Sequence, residues 1–167
     1  QSSAGARPAP SSIGSYQDLL QELECDGGPE CQRLMSAVGV DLALDAFALF
    51  DASRGRPLTI ACIQLAKKLS LCIEQTGEIP TQRQEQGPMK AYLIHESKFA
   101  RFISAIEDGY LQTNSYHNST HAADVTSRVV AIARMMGIIQ EEATFQQRQL
   151  FVAIIVAAAV HDYQHPG

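Results

Sequence analysis

The stretch Phe151-Val152-Ala153-Ile154-Ile155-Val156-Ala157-Ala158-Ala159-Val160 has no polar side chain and runs straight into His161-Asp162-Tyr163-Gln164-His165-Pro166-Gly167. It is much shorter than the roughly 20 apolar residues that a membrane span needs. Apolar on every side, it reads as a helix buried in a protein core. It delivers an imidazole and a carboxylate at its C-terminal end. An ionised Asp at the edge of a core is costly unless it is paired or bound to metal. His161 and Asp162 therefore call for a partner. A divalent cation is the simplest one. A His–Asp hydrogen bond that only caps the helix is the alternative.

Working back along the chain, Gly137 separates two expected helices, His117 to Met136 and Ala143 to Val160. The first of these opens with Tyr116-His117-Asn118-Ser119-Thr120-His121-Ala122-Ala123-Asp124-Val125, so four of the five histidines lie in two short segments. On a helix, His117, His121 and Asp124 at i, i+4 and i+7 share one face. Neighbours on that face stand about 5–6 Å apart. A catalytic cation takes imidazole and carboxylate ligands from rigid elements and keeps open positions for water. A solvated polar face has the same spacing, so the second cluster is what favours metal.

Further back, a helix is expected from about Lys90 to Asp108, ending at Gly109. Residues 75–88, rich in Gln, Gly and Pro, read as a surface loop. Pro57 suits the first turn of a helix reaching about Glu74, with Leu58, Cys62, Leu65, Leu69 and Cys72 as its core stripe. Asp41 is the expected cap of a segment through Phe50. A short helix is expected from Glu30 to Val38, and another from Tyr16 to Glu24 with Ser15 as N-cap. Strand-like alternation is nearly absent and no internal repeat occurs. The expected fold class is all-α, a multi-helix bundle of about seven helices. The expected organisation is a flexible linker at 1–14, a helical lead-in at 15–40 and a catalytic-domain portion at 41–167.

An apolar fraction of 46% with 19% charged residues fits one globular core in 167 residues. The net charge of −5 argues against a nucleic-acid partner. It also leaves bound cations to supply positive charge to any anionic substrate. Cys25, Cys31, Cys62 and Cys72 show no CxxC spacing, so a Cys-based zinc site is not expected and all four are read as reduced. No secretory signal or membrane span is seen, and an intracellular, cytoplasmic location is expected. The chain opens on Gln1, so the true N-terminus is expected elsewhere.

The two histidine segments together resemble the signatures of class I 3′,5′-cyclic nucleotide phosphodiesterases: Tyr116-His117-Asn118-x-x-His121-Ala122-Ala123-Asp124-Val125 and His161-Asp162-x-x-His165-Pro166-Gly167. Asp45-x-Phe47 to Phe50, Gly55-Arg56-Pro57-Leu58 and Ile106-Glu107-Asp108-Gly109-Tyr110 resemble the start of that family's catalytic domain. The similarity covers roughly Leu42 to Gly167.

The resemblance implies a compact helical bundle that hydrolyses cAMP, cGMP or both to 5′-nucleoside monophosphates at a dinuclear centre. It implies His117 as the general acid and His121, His161 and Asp162 as ligands of Zn²⁺, with Asp162 bridging to Mg²⁺ or Mn²⁺. His165 would lie near the second ion and its water, Asp124 behind the ligands, and Tyr116 at the pocket floor. In that family a further zinc-binding Asp and a purine-clamping Gln lie downstream of the second motif. This chain is therefore expected to be an incomplete, inactive part of the domain, with homodimerisation through the full-length protein. The other readings are a non-catalytic helical binding module and another metal-dependent phosphohydrolase of the HD type.

Overall fold

Six helices and one pair of two-residue strands make up residues 28–73, 94–111, 113–140 and 143–166, which the computed structural model describes. They are α1 (Pro29–Ala37), α2 (Ala46–Ala52), α3 (Pro57–Lys68), β1 (Cys72–Ile73), β2 (Ile94–His95), α4 (Glu96–Asp108), α5 (Ser119–Met135) and α6 (Phe145–Val160). The expected linker at 1–14, the helix at 16–24 with its Ser15 cap and the loop at 75–88 lie outside the described residues. The fold is all-α. The exception is the parallel strand pair, in which Cys72 lies beside Ile94 and Ile73 beside His95.

Local chemistry sets where these helices start and stop. The cap of α2 is Asp45, whose carboxylate accepts from the Phe47 and Ala48 N–H groups. Asp41, the expected cap, instead closes a turn on the Ala43 N–H at 2.8 Å. Helix α3 ends six residues before the expected Glu74, because Ser70 turns left-handed at φ 52°. Leu71 then enters the core and Cys72 joins the strand, so Cys72 leaves the expected stripe. Leu58, Cys62, Leu65 and Leu69 remain buried. Helix α4 starts at Glu96, not Lys90, since Ile94 and His95 form β2. Thr144 and Gln147 form a reciprocal capping box at the start of α6.

Helix α3 lies at the centre, with α4 and α5 packed on it and α6 packed on α5. Leu34, Val38, Leu49, Leu58, Leu65, Ile103, Val130, Phe151 and Ile155 form the fully buried core. Gly39, at φ +69°, lies where α3 and α5 meet. An added Cβ there would stand 2.3 Å from Leu65 Cδ2. Its N–H donates to Ser127 Oγ on α5 at 2.9 Å. Helix α6 is not buried all round as expected: Phe151, Ile155, Ala158 and Ala159 face the core, while Ala153 and Ala157 are exposed. The cysteines also depart from the reduced set, since Cys31 is disulfide-bonded, while Cys62 and Cys72 are free.

The segments around Arg56 and Glu107 meet at the N-terminus of α3. Glu107, 1% exposed, accepts from the Leu58 N–H at 2.9 Å and the Thr59 N–H at 3.3 Å. It also accepts from the Thr59 hydroxyl. The first-turn N–H groups of a helix have no partner within it and carry the positive end of its dipole. A carboxylate from α4 therefore caps α3 from outside. Arg56 pairs with Asp108 next door. Among the described residues, no helix is long and apolar enough to cross a membrane.

Candidate metal centre

The site forms where the start of α5 meets the end of α6. Asn118 caps α5, its side chain accepting from the Thr120 and His121 N–H groups at 3.0 and 3.2 Å. His121 is thereby fixed in the first turn. His117 precedes the cap, so it is not on the helix, and the expected shared face of His117, His121 and Asp124 does not form. An Asn side chain competes for backbone donors and favours exactly this N-cap position over a helix interior.

Asn114 folds the residues before the cap. Its Oδ1 accepts from the Tyr116 and His117 N–H groups at 3.2 and 3.1 Å. Its Nδ2 donates to the His165 carbonyl at 3.4 Å. This one side chain links the two histidine segments.

Asp162 Oδ2 lies 2.9 Å from His161 Nε2, 3.3 Å from His121 Nε2 and 4.0 Å from His117 Nε2. The two Nε2 atoms of His121 and His161 are 3.4 Å apart. His161 Nδ1 stands 2.8 Å from the Ala158 carbonyl. A carbonyl only accepts, so Nδ1 donates to it, and with Nδ1 so engaged Nε2 is the nitrogen left to face a cation, the arrangement usual behind a metal-bound imidazole. Burial pushes the His121 imidazole below its ordinary value, helped by His161 and His117 and opposed by Asp162. That favours the neutral form, which is the one that binds metal.

These three residues fit a zinc-type ion. A tetrahedral zinc with bonds of about 2.1 Å sets its ligand atoms about 3.4 Å apart, close to the separations seen here. His121, His161 and Asp162 are the group among the described residues whose ligand atoms converge in this way. One carboxylate and two imidazoles are a donor set suited to such a cation.

The other expected residues divide. The His165 ring stacks on His117 with centroids 3.9 Å apart. Tyr116 lies 4.4 Å from the His121 ring, 60% exposed, and forms the rim of the cluster. Asp124 points elsewhere, to Arg128 Nε at 2.7 Å. Asn114, Asn118 and Tyr110 are supporting residues that the sequence reading gave no site role, although Asn118 and Tyr110 stand inside the quoted motifs. Only Asn118 carried a local signal, as an Asn directly before a helical segment.

Residues 116–167 match the family model described as 3′,5′-cyclic nucleotide phosphodiesterase. Rat 3′,5′-cyclic-AMP phosphodiesterase 4C is 31% identical over 124 residues, which is 74% of this chain and 19% of that protein. The chain belongs to the class I cyclic nucleotide phosphodiesterase family. The Drosophila melanogaster 3′,5′-cyclic-AMP phosphodiesterase, isoform F, is also 31% identical, over 74% of this chain and 16% of its own length. The human dual specificity calcium/calmodulin-dependent 3′,5′-cyclic nucleotide phosphodiesterase 1C is 30% identical over 126 residues, 75% of this chain and 15% of that protein. The chain thus spans about a fifth or less of these phosphodiesterases. No solved structure matches it. The stretch matched by the phosphodiesterase family model contains all seven residues read from the sequence as the site: Tyr116, His117, His121, Asp124, His161, Asp162 and His165.

Proposed function

We propose that this chain contributes to the active site of an enzyme that hydrolyses 3′,5′-cyclic nucleotides to 5′-nucleoside monophosphates at a dinuclear metal centre. The observation that carries the reading is the convergence of His121, His161 and Asp162, with ligand atoms 2.9–3.4 Å apart, beside His117. In this reading those three hold Zn²⁺, and Asp162 also reaches a second ion, Mg²⁺ or Mn²⁺. Bound cations neutralise the phosphate oxygens and lower the pKa of a coordinated water. The relatives named for cAMP and the one named for dual specificity stand at 31% and 30% identity, so cAMP and cGMP are kept together as substrates.

The chain's own part is to place and move a proton. Water adds to phosphorus and the P–O3′ bond breaks. His117, protonated, gives its proton to the departing O3′. Asp162 Oδ2 lies 4.0 Å from His117 Nε2, and the stacked His165 ring limits rotation of the His117 imidazole. Tyr116 walls the other side.

The test is release of 5′-AMP from cAMP by the protein in Mg²⁺, compared with His117→Ala. A loss of kcat of about 10²–10⁴-fold is expected for removal of a general acid. Unchanged turnover removes His117 from that role. Hydrolysis of linear but not cyclic phosphodiesters points to an HD-type phosphohydrolase instead.

A further inference from the structure

Asp162 lies just past the end of α6, in a turn with no regular hydrogen-bond ladder to hold it. The Tyr163 N–H bonds to the Val160 carbonyl at 3.0 Å, a tighter turn than the helix it follows. Gln164 is left-handed at φ 59°. Helix ends leave carbonyls without intrahelical partners, and the Ala159 carbonyl finds its partner on another element. The Tyr110 hydroxyl, from the residue after the Gly109 cap of α4, donates to it at 2.9 Å. Tyr110 is 2% exposed, so water does not compete for this bond.

The flanking residue is held too. The Tyr163 ring meets Tyr110 edge-on at 6.0 Å. It lies so close over Gly109 that an added Cβ would come within 2.3 Å of it. The Gly109-Tyr110 pair thus holds the Ala159 carbonyl on one side of Asp162 and the Tyr163 ring on the other. The carboxylate that meets three imidazoles takes its position from a phenol on a different helix end.

We propose that Tyr110 is the positioning residue of the metal centre: its hydroxyl, held to the Ala159 carbonyl, and its ring, met edge-on by Tyr163, set the Asp162 carboxylate against His121 and His161. This rests on the reading of those three residues as metal ligands. Removing a group that orients a ligand typically costs 10–100-fold in metal affinity.

The experiment uses the full chain and Tyr110→Phe, which keeps the ring packing and deletes the hydrogen bond to the Ala159 carbonyl. Zn²⁺ affinity is measured by competition with a chromophoric chelator, and ligand geometry by the absorption spectrum of the Co²⁺ form at saturation. Asp162→Ala reports on the site itself, and Ile103→Val supplies a destabilised core control away from it. The expected result is a roughly tenfold or greater rise in Kd for Tyr110→Phe with an altered Co²⁺ spectrum, while Ile103→Val changes neither. Wild-type affinity and spectrum in Tyr110→Phe overturn the positioning role while leaving the metal site standing. A wild-type chain whose zinc binding is absent, or is indifferent to Asp162→Ala, overturns the site and the positioning role together.

Discussion

Glu107 is a carboxylate closed inside the protein against the donors of another helix's first turn. Burial pushes it up to about 7, while Thr59, Leu58 and Arg56 pull it down. Its folded value therefore lies above its ordinary value of 4.5. The folded chain keeps a proton that the unfolded chain releases between those limits, so this contribution to stability is full below about 4.5 and is lost as pH rises through 7. The loss is at most about 3 kcal/mol for a shift of this size. Denaturant melts from pH 4.5 to 7 should show wild-type stability falling more steeply than that of Glu107→Gln, and parallel slopes would remove Glu107 as the cause. Glu107→Ala leaves buried donors unpartnered and should cost about 3 kcal/mol by chemical denaturation at a single pH. At this scale residue type and clustering marked both histidine segments as a candidate metal site, while the choice of His121, His161 and Asp162 as ligands came from the family resemblance. Glu107 was visible only as part of a motif, because its role depends on α3 and α4 meeting.

At the scale of elements, the cap decides more than the periodicity does. His117 sits at helical spacing from His121, yet Asn118 captures the first N–H groups and leaves His117 in the turn. That turn is what carries His117 to within 4.0 Å of Asp162 and into contact with His165. Asn118→Ala should therefore lower stability by about 1 kcal/mol. The second expected outcome is a loss of activity larger than that stability change explains, read as a fall in kcat for cAMP hydrolysis at a temperature where the variant is fully folded. The same lesson holds at α2, where Asp45 rather than Asp41 satisfies the helix, and at α3, where Ser70 ends it early. Apolar spacing showed that these helices exist. Their ends follow from which side chain reaches which N–H, and that needs the fold.

Across the whole molecule, the core is a set of helices around α3, and apolar side chains also remain on the outside. Ile132 and Met135 on α5, Met136 and Ile138 in the turn after it and Leu150 on α6 are 40–73% exposed, and Ala153 and Ala157 of α6 are exposed too. Apolar surface of this kind promotes association. Sedimentation of the purified chain should show mass rising with concentration, and Met135→Lys with Ile132→Glu should reduce it. A monomer at every concentration would contradict this. The all-α class was legible from the absence of alternation, whereas the meeting of α4 with the end of α6, on which Asp162 depends, was not. Tyr110 and Ala159 lie 49 residues apart, and no local pattern announces such a pair.

Helices α5 and α6 bring His121, His161 and Asp162 together, in the proposed reading as one metal site. The direct measurement is the zinc content of the purified chain after equilibration with limiting Zn²⁺ and gel filtration, wild type beside Asp162→Ala. The account predicts retained zinc approaching one per wild-type chain, with at least tenfold weaker binding once Asp162 is removed. Zinc absent from the wild type, or retained equally by the variant, would contradict it.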